Sequence, residues 1–420
     1  MKRIILLFFI PILVVHAYSA DTLYLDDCYK EAIDNYPLTK GKDLLGSANE
    51  LRIKNLQTNY LPQINLNGQA TYQSDVVKLP INIPNLSIPE LPKDQYKVSV
   101  DVNQIIYDGG ITNSQKKLEE ASLATDVQQI EVELYKIKER INQVYFTILL
   151  LQENERVLNL KRNELKDRLK VMESRVKNGV LTQSYVDILQ AELLKVEQQM
   201  IEINIGKSTA FDILGEFMNK ELSESLTLQL PKMQITIDNS INRPEYTLFD
   251  LQMNKIDASS KLLSTKRNPR LYGFGQFGYG RPGLNMLSDE FDSFYIVGAK
   301  FNWNLWDWNQ NKKERQILSL QKDIINTHKE TLGKNINISL KNEEATIQKL
   351  EEIIEKDYEI IALRSKITKA SASQLENGVI TSTDYITNLN TEIQAKINLE
   401  SRKIQLVQSQ INYLTIKGNQ

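Results

Sequence analysis

Asn178-Gly179-Val180-Leu181-Thr182 returns as Asn377-Gly378-Val379-Ile380-Thr381, 199 residues further along a chain of 420. The same offset lays Tyr96, Val98 and Asn103 onto Tyr295, Val297 and Asn302, and Tyr107-Asp108 onto Trp306-Asp307. Upstream the offset becomes 207: Asn35 and Pro37 fall on Asn242 and Pro244, Pro62 on Pro269, Gly68-Gln69 on Gly275-Gln276, and Tyr72 on Tyr279. The change of offset is confined to the stretch between Tyr72 and Tyr96, which marks a loop, because loops tolerate insertion. Equal spacing across whole elements indicates an internal duplication, the first thing to settle before domains are drawn.

On either side of the quoted turn the sequence is helical. Between Ile111 and Val176 there is no proline, and apolar residues recur every seven: Leu134, Ile137, Ile141, Val144, Ile148, Leu151, Leu158, Leu165, Leu169, Met172 and Val176, interrupted at Glu155 and Arg162. Such a seam predicts a helix packed on another helix, and at about 1.5 Å per residue the segment would reach roughly 100 Å. After Asn178-Gly179 the seam returns on Val186, Leu189, Leu193, Val196, Met200 and Ile203, which predicts an antiparallel helical hairpin ending near Asn219. A shorter helix is expected from Arg243 to Thr265. The segment from Lys220 to Asn242, with its alternating run from Leu226 to Leu230 and then Pro231, is expected to form an irregular belt.

Upstream of the long helix the period drops to two. From Gln63 to Gln73, Ile64, Leu66, Gly68, Ala70 and Tyr72 alternate with Asn65, Asn67, Gln69 and Thr71; Val98, Val100 and Val102 alternate with Lys97, Ser99, Asp101 and Asn103. In the second copy, Val297, Ala299, Phe301, Trp303 and Leu305 oppose Gly298, Lys300, Asn302 and Asn304. Period two means strand, and runs of about 11 residues suit a tilted membrane-spanning strand. Tyr72, Tyr107, Tyr279, Trp303 and Trp306 lie towards run ends, where an interfacial girdle of aromatics belongs. Two hairpins cannot close a barrel, so the chain is expected to oligomerise to shield its edges. A half-buried soluble sheet is the competing reading of the same alternation. The loop from Ser74 to Asp94, with Pro80, Pro84, Pro89 and Pro92, is expected to be an exposed, extracellular connection.

Composition narrows the chemistry. Lys2 and Arg3, an apolar stretch from Ile4 to Val15, and small residues at Ala17, Ser19 and Ala20 form a secretory signal pattern over residues 1–20, with an uncleaved anchor as the alternative. The mature chain would carry 49 basic against 53 acidic residues with no basic block, so nucleic acid is not an expected partner. The single cysteine, Cys28, excludes an internal disulfide, and His328 is the one histidine outside the signal, so metal and triad chemistry lack raw material. No cofactor, metal or catalytic residue is expected. Gly273, Gly275 and Gly278 mimic a dinucleotide fingerprint, but Arg281-Pro282-Gly283 follows them rather than a helix, and the duplication maps them onto a strand. Gly206-Lys207-Ser208-Thr209 resembles the end of a phosphate loop, yet Ile201 stands where the first glycine is required.

The order of these features resembles the outer membrane efflux protein family, of which TolC is the archetype. The residues that carry the resemblance are a helix-starting Asn-x-Pro at Asn35 and Asn242, Pro62 and Pro269 before the first strand of each copy, an aromatic-Asp at Asp108 and Asp307 after the second, and the tip turn followed by Leu189-Gln190-Ala191-Glu192. The resemblance implies a mainly α fold with membrane β: two tandem repeats, each a β-hairpin plus a long antiparallel helical hairpin, assembled as a homotrimer into a 12-stranded β-barrel on a 12-helix α-barrel. Divided accordingly, 1–20 is the signal, 21–219 the first repeat, 220–241 an equatorial connector and 242–420 the second repeat.

The same resemblance implies a passive exit duct of a tripartite efflux or type I secretion system, in the outer membrane of a Gram-negative bacterium with its helices in the periplasm. Its partners would be further copies of itself, a periplasmic adaptor (membrane fusion) protein, an inner-membrane transporter and outer-membrane lipid. Tip turns Asn178, Gly179, Val180, Asn377, Gly378 and Val379 would dock the adaptor; Asp384 would constrict the pore, although Thr387 and Ile380 stand where the family often carries a second acid and an arginine. Asn65, Asn67, Asp101 and Lys300 would line the barrel lumen. A periplasmic coiled-coil adaptor or scaffold is the alternative from another class.

Overall fold

The period-two runs fold into one antiparallel sheet, and the heptad runs into two very long helices with returning partners, in a computed structural model that describes residues 22–77, 92–232, 240–286 and 288–419. The signal segment, most of the proline-rich loop and residues 233–239 of the expected connector lie outside the described residues. Contacts divide the chain into two units. One comprises Met1–Thr39, Glu133–Arg243 and Lys334–Gln420; the other comprises Lys40–Val132 and Pro244–Gly333. Each unit therefore draws on both halves of the sequence.

The second unit holds the sheet. Strands β2 (Gln63–Tyr72), β3 (Asp94–Tyr107), β5 (Arg270–Arg281) and β6 (Asp292–Asn302) pair antiparallel in that order, while β1 (Thr22–Leu23) and β4 (Thr227–Leu228) form a short parallel pair in the first unit. Register groups one set of apolar residues, while Tyr272, Phe274, Phe294 and Ile296 fall on the opposite face among the polar side chains. Leu66 pairs with Val100, which pairs with Phe277, which pairs with Tyr295, so these four share one face. The sequence alternation runs to Leu305, but β6 stops at Asn302. Its partner strand begins at Arg270, opposite Asn302, so the residues beyond have no ladder to join. The outer edges of β2 and β6 have no strand beside them among the described residues.

Each strand pair leads into a helix of the same length: α3 (Ile111–Lys177) and α6 (Gln310–Glu376) have 67 residues apiece and start 199 residues apart. Asp108, 4% exposed, makes the first turn possible. Its carboxylate accepts from the amides of Gly110 (2.8 Å) and Thr112 (2.6 Å), two donors that a helix N-terminus otherwise leaves open. Burial pushes its pKa up, but these bonds, with those from the Thr112 and Tyr60 side chains, pull harder, and the carboxyl titrates below its ordinary range. Alongside α3 and α6 run α2 (Lys40–Gln57) and α5 (Pro244–Thr265), joined through Lys42–Glu131, Asn49 to the Glu119 carbonyl, Lys322–Asp257 and Lys329–Asp250.

In the first unit, α1 (Leu25–Asn35) buries Leu25, Cys28, Tyr29 and Ala32, the one stripe that its helical spacing offers. It is a helix of its own, where the sequence places only a helix start at Asn35. Asn35 closes α1, a 3-10 turn at Pro37–Thr39 intervenes, and its amide donates to the Met218 carbonyl at the end of α4 (Ser184–Met218). Burial, with Asp27 and Glu31 nearby, pushes the Cys28 thiol up to about 12, so it remains a packed, protonated side chain. The short β1–β4 pair is fastened by two side chains of α3: Tyr145 Oη is 3.0 Å from the Leu23 carbonyl and 2.6 Å from that of Gln229, and Gln152 donates to the Leu226 carbonyl while accepting from the Leu228 amide. Of the alternating run from Leu226 to Leu230, only the two residues of β4 pair as strand.

The heptad seam forms the core. Leu158, Leu165 and Met172 of α3 pack with Val186, Leu189, Val196 and Met200 of α4 and with Tyr385, Ile386, Leu389 and Ile393 of α7 (Ser382–Lys417). Leu165 is fully buried, so Leu165→Ala leaves a cavity and should cost about 2–5 kcal/mol. Denaturant unfolding of the two proteins measures the loss. A change below about 1 kcal/mol would mean that the seam does not carry this packing.

Candidate functional site

Two places combine polar chemistry with a constrained backbone: the polar face of the sheet, and the turns that end the long helices. On the sheet, register sets Asn65 opposite Asp101 and Asn67 opposite Ser99, with Lys300 opposite Tyr272 on the same face. The side chains form a chain across three strands. Asn67 donates to Asp101 (2.5 Å), Gln276 donates to the other oxygen of Asp101 (2.7 Å), and Lys97 donates to Gln276 (3.2 Å) while its ammonium lies 4.8 Å from the centre of the Phe294 ring. Phe294 in turn lies over Gly278, where an added Cβ would fall 2.3 Å from the ring. Phe274 covers Gly298 in the same way. The glycines that mimic a nucleotide fingerprint thus lie inside β5, and Gly278 leaves room for an aromatic ring.

This face is therefore a pinned surface. Asp101, Asn67 and Lys97 are held by neighbours, and Lys97, Gln276 and Phe294 join the anticipated residues. Lys97 and Gln276 are 179 positions apart in sequence, so no local pattern could have paired them.

At the helix ends the duplicated turns have one geometry. Gly179 and Gly378 both have φ of 72°. The Gly179 amide bonds the Val176 carbonyl and the Val180 amide that of Arg175; Gly378 and Val379 repeat this with Leu375 and Gln374. That is a Schellman motif, which satisfies the last carbonyls of a helix and favours glycine for its left-handed residue. A Cβ at either glycine would meet nothing, so backbone conformation alone selects it.

Beyond the turns the copies differ. Thr381 caps α7: its hydroxyl accepts from the Asp384 amide (3.2 Å), and the Asp384 carboxylate accepts from the Thr381 amide (3.0 Å) and hydroxyl (2.7 Å), closing a capping box. The corresponding start of α4, after Gln183, has no side-chain cap. Asp384, singled out from the sequence for a pore constriction, is thus engaged with its own helix terminus, and these bonds hold its carboxyl below the ordinary range.

Behind the tips lie charged groups that the seam did not announce. Arg168 binds Glu164 and Glu376, and Tyr385, fully buried, donates to Glu164 (2.9 Å). Lys161 and Glu192 form an ion pair at 2.6 Å, both nearly buried. Arg162 and Glu155, the two interruptions in the heptads, diverge: Glu155 binds Lys207 at 2.7 Å, the lysine of the false phosphate loop inside α4, while Nε of Arg162 is buried without a hydrogen bond. His328 is exposed on α6, and among the described residues no group of His, Cys, Asp and Glu could hold a metal ion. No described helix is long and apolar enough to cross a membrane.

Comparison with known proteins gives one family match: residues 47–207 match the family described as outer membrane efflux protein. The resemblance drawn from the sequence is to that family. The matched stretch runs from α2 through the first strand pair and the tip turn into α4. No curated protein matches the chain in sequence. Solved structures share the fold at low identity. The CmeC outer membrane channel of Campylobacter jejuni is 13% identical, with a TM-score of 0.67 over 94% of this chain and 85% of that one. VceC of Vibrio cholerae, an outer membrane protein, is 14% identical with a TM-score of 0.64 over 93% and 96%. The MtrE outer membrane channel of Neisseria gonorrhoeae, in its open state, is 13% identical with a TM-score of 0.66 over 94% and 89%. The mixture of long helices and a small sheet is thus the fold of these channels.

The capping box makes a pH-dependent prediction. Because the folded pKa of Asp384 is depressed, its contribution is complete above the ordinary carboxylate pKa and is lost as pH falls through the lower, folded value. Limited proteolysis at the α7 tip should accelerate in that acidic window. Thr381→Ala should accelerate it at neutral pH too, removing about 1 kcal/mol of capping; equal cleavage of variant and parent at pH 7 would count against the box.

Proposed function

We propose that the chain is the outer-membrane exit duct of a tripartite efflux or type I secretion system, a passive conduit formed by a homotrimer of two-repeat protomers. The observation that carries this reading is the pair of unpaired sheet edges, together with the apolar residues that continue them within the same unit. On the β2 side, Leu44 and Leu51 of α2 are 70% and 63% exposed; on the β6 side, Ile317, Leu320 and Ile324 of α6 are 55%, 62% and 56% exposed, again at heptad spacing. An apolar seam open to water at both ends of a sheet is a surface that another copy covers head to tail. Closure of that ring removes every edge, the condition for a sheet to stand in hydrocarbon.

The apolar face then meets lipid and the pinned face, with Asn65, Asn67, Asp101 and Lys300, lines the lumen. Ile64, Leu66, Tyr295, Val297 and Phe301 are each more than 60% exposed in the single chain, as lipid-facing residues would be. The turns at Asn178, Gly179, Val180 and at Asn377, Gly378, Val379 offer short exposed loops to a periplasmic adaptor, which couples the duct to an inner-membrane transporter. Asp384 is a candidate constriction only if its side chain leaves the capping box. The family match and the shared fold of outer membrane channels support the location. The soluble adaptor reading leaves the apolar face of the sheet without a cover.

Full-length protein purified in detergent should run as a trimer and give discrete conductance steps in planar bilayers. Protein that is soluble without detergent, or that yields no steps, would remove the duct reading. Replacing Leu320 and Ile324 with glutamate should shift the protein towards monomer, read by native mass spectrometry.

A further inference from the structure

Just beyond the sheet, at the ends of β6 and α5, the strand-to-helix turn of the second copy departs from that of the first. The first copy places Gly109 and Gly110 in the left-handed region, with φ of 72° and 87°; the second places Trp308 and Asn309 there, with φ of 52° and 59°. A bulky residue in that conformation is strained, and such strain persists where the surrounding structure holds it for a purpose. Trp308 is 80% exposed, and its ring stands edge-on to Trp306, itself 70% exposed, with centroids 5.8 Å apart. A third indole, Trp303, donates to the Arg267 carbonyl at 3.0 Å.

That last bond places Trp303 beside a cavity of about 580 Å³ between the end of α5 and the start of α6, which Asn309, the chain neighbour of Trp308, also lines. Arg267, Lys312, Arg315 and Lys322 line it, against one carboxylate, Asp257. Lys322 already pairs with Asp257 at 2.9 Å, and Arg315 reaches only the Ser260 hydroxyl, at 3.3 Å. Among the described residues no carboxylate pairs with Arg267, Lys312 or Arg315. Three uncompensated cations in one concavity, beside three indoles at a strand end, match a ligand with a phosphate-bearing head and an apolar body.

We infer that this cavity binds the headgroup of an anionic phospholipid from the leaflet facing the helices. The inference rests on the outer-membrane reading, which sets the strand ends at the membrane boundary. Arg267, Lys312 and Arg315 hold the phosphate, and Trp303, Trp306 and Trp308 lie against the glycerol and upper acyl region.

The test uses full-length protein in detergent, supplied with phosphatidylglycerol or phosphatidylcholine and read by native mass spectrometry. Wild-type protein should retain phosphatidylglycerol in preference to phosphatidylcholine. Lys312→Gln combined with Arg315→Gln should reduce that retention about ten-fold, and Lys312→Arg should restore it when introduced in place of Lys312→Gln. Equal retention of both lipids, or no loss in the double variant, overturns the site. Displacement of the lipid by millimolar inorganic phosphate would identify a free-anion site and overturn the lipid assignment. Trp308→Gly provides a separate reading: the thermal midpoint should rise, as strain is relieved, while lipid retention falls. A lower midpoint removes the strain argument. Planar-bilayer conductance of the double variant keeps the two proposals apart, since intact conductance with unchanged lipid retention sinks only the lipid site.

Discussion

Among the described residues no strand lies beside the outer edge of β2 or β6, and in hydrocarbon each backbone group left unpaired costs several kcal/mol. This constraint organises the second unit. It makes a four-stranded sheet with an apolar face unable to stand alone in a bilayer, and in the proposed assembly the exposed leucines and isoleucines of α2 and α6 would continue the same edges. Strand lengths are compatible with it, since β2 has 10 residues and β6 has 11, a near match for two edges that would meet in the proposed assembly.

Much of this was legible in sequence, because the periods of strand and coiled coil differ and the residues involved repeat locally. Leu158, Leu165 and Met172 announced a seam and are buried in one; Ile64 and Leu66 announced an apolar strand face and share it with Val100 and Val102. The two tip glycines were legible because a left-handed residue after a helix narrows the choice to very few side chains. What escaped was non-local. The lysine over Phe294, Gln276 beside Asp101, and Arg168 beside Glu376 join positions far apart in the chain, and no periodicity encodes them. The end of β6 escaped for a related reason: the alternation of Trp303 and Leu305 reports which face a residue would take, not whether a neighbouring strand is there to receive it.

Asp384 shows how one acid after a turn carries two readings. An acid shortly after a turn fits a lumenal ring and a capping box equally well. The distance to Thr381 establishes the capping box, and that distance is set by the backbone at the first turn of α7. Polar groups of α3 outside the seam likewise have structural duties. Tyr145 and Gln152 fasten β1 and β4 with side chains rather than with neighbouring strands, which is how two-residue strands persist at all. Removal of Tyr145 takes a donor from the Gln229 carbonyl and removal of Gln152 takes one from that of Leu226, both in partly buried surroundings where a lost partner is costly.

The box at Thr381 has no counterpart at the start of α4, so the duplicated hairpins are not mechanical equals: one return helix begins on a reinforced footing, the other on an unreinforced one. Set around a common axis as proposed, protomers of this kind would present six tips of two alternating kinds. The rim would have the outline of a hexagon with the symmetry of a triangle. A partner touching it would distinguish gaps within a protomer from gaps between protomers, and could therefore bind in threes without any trimeric preference of its own.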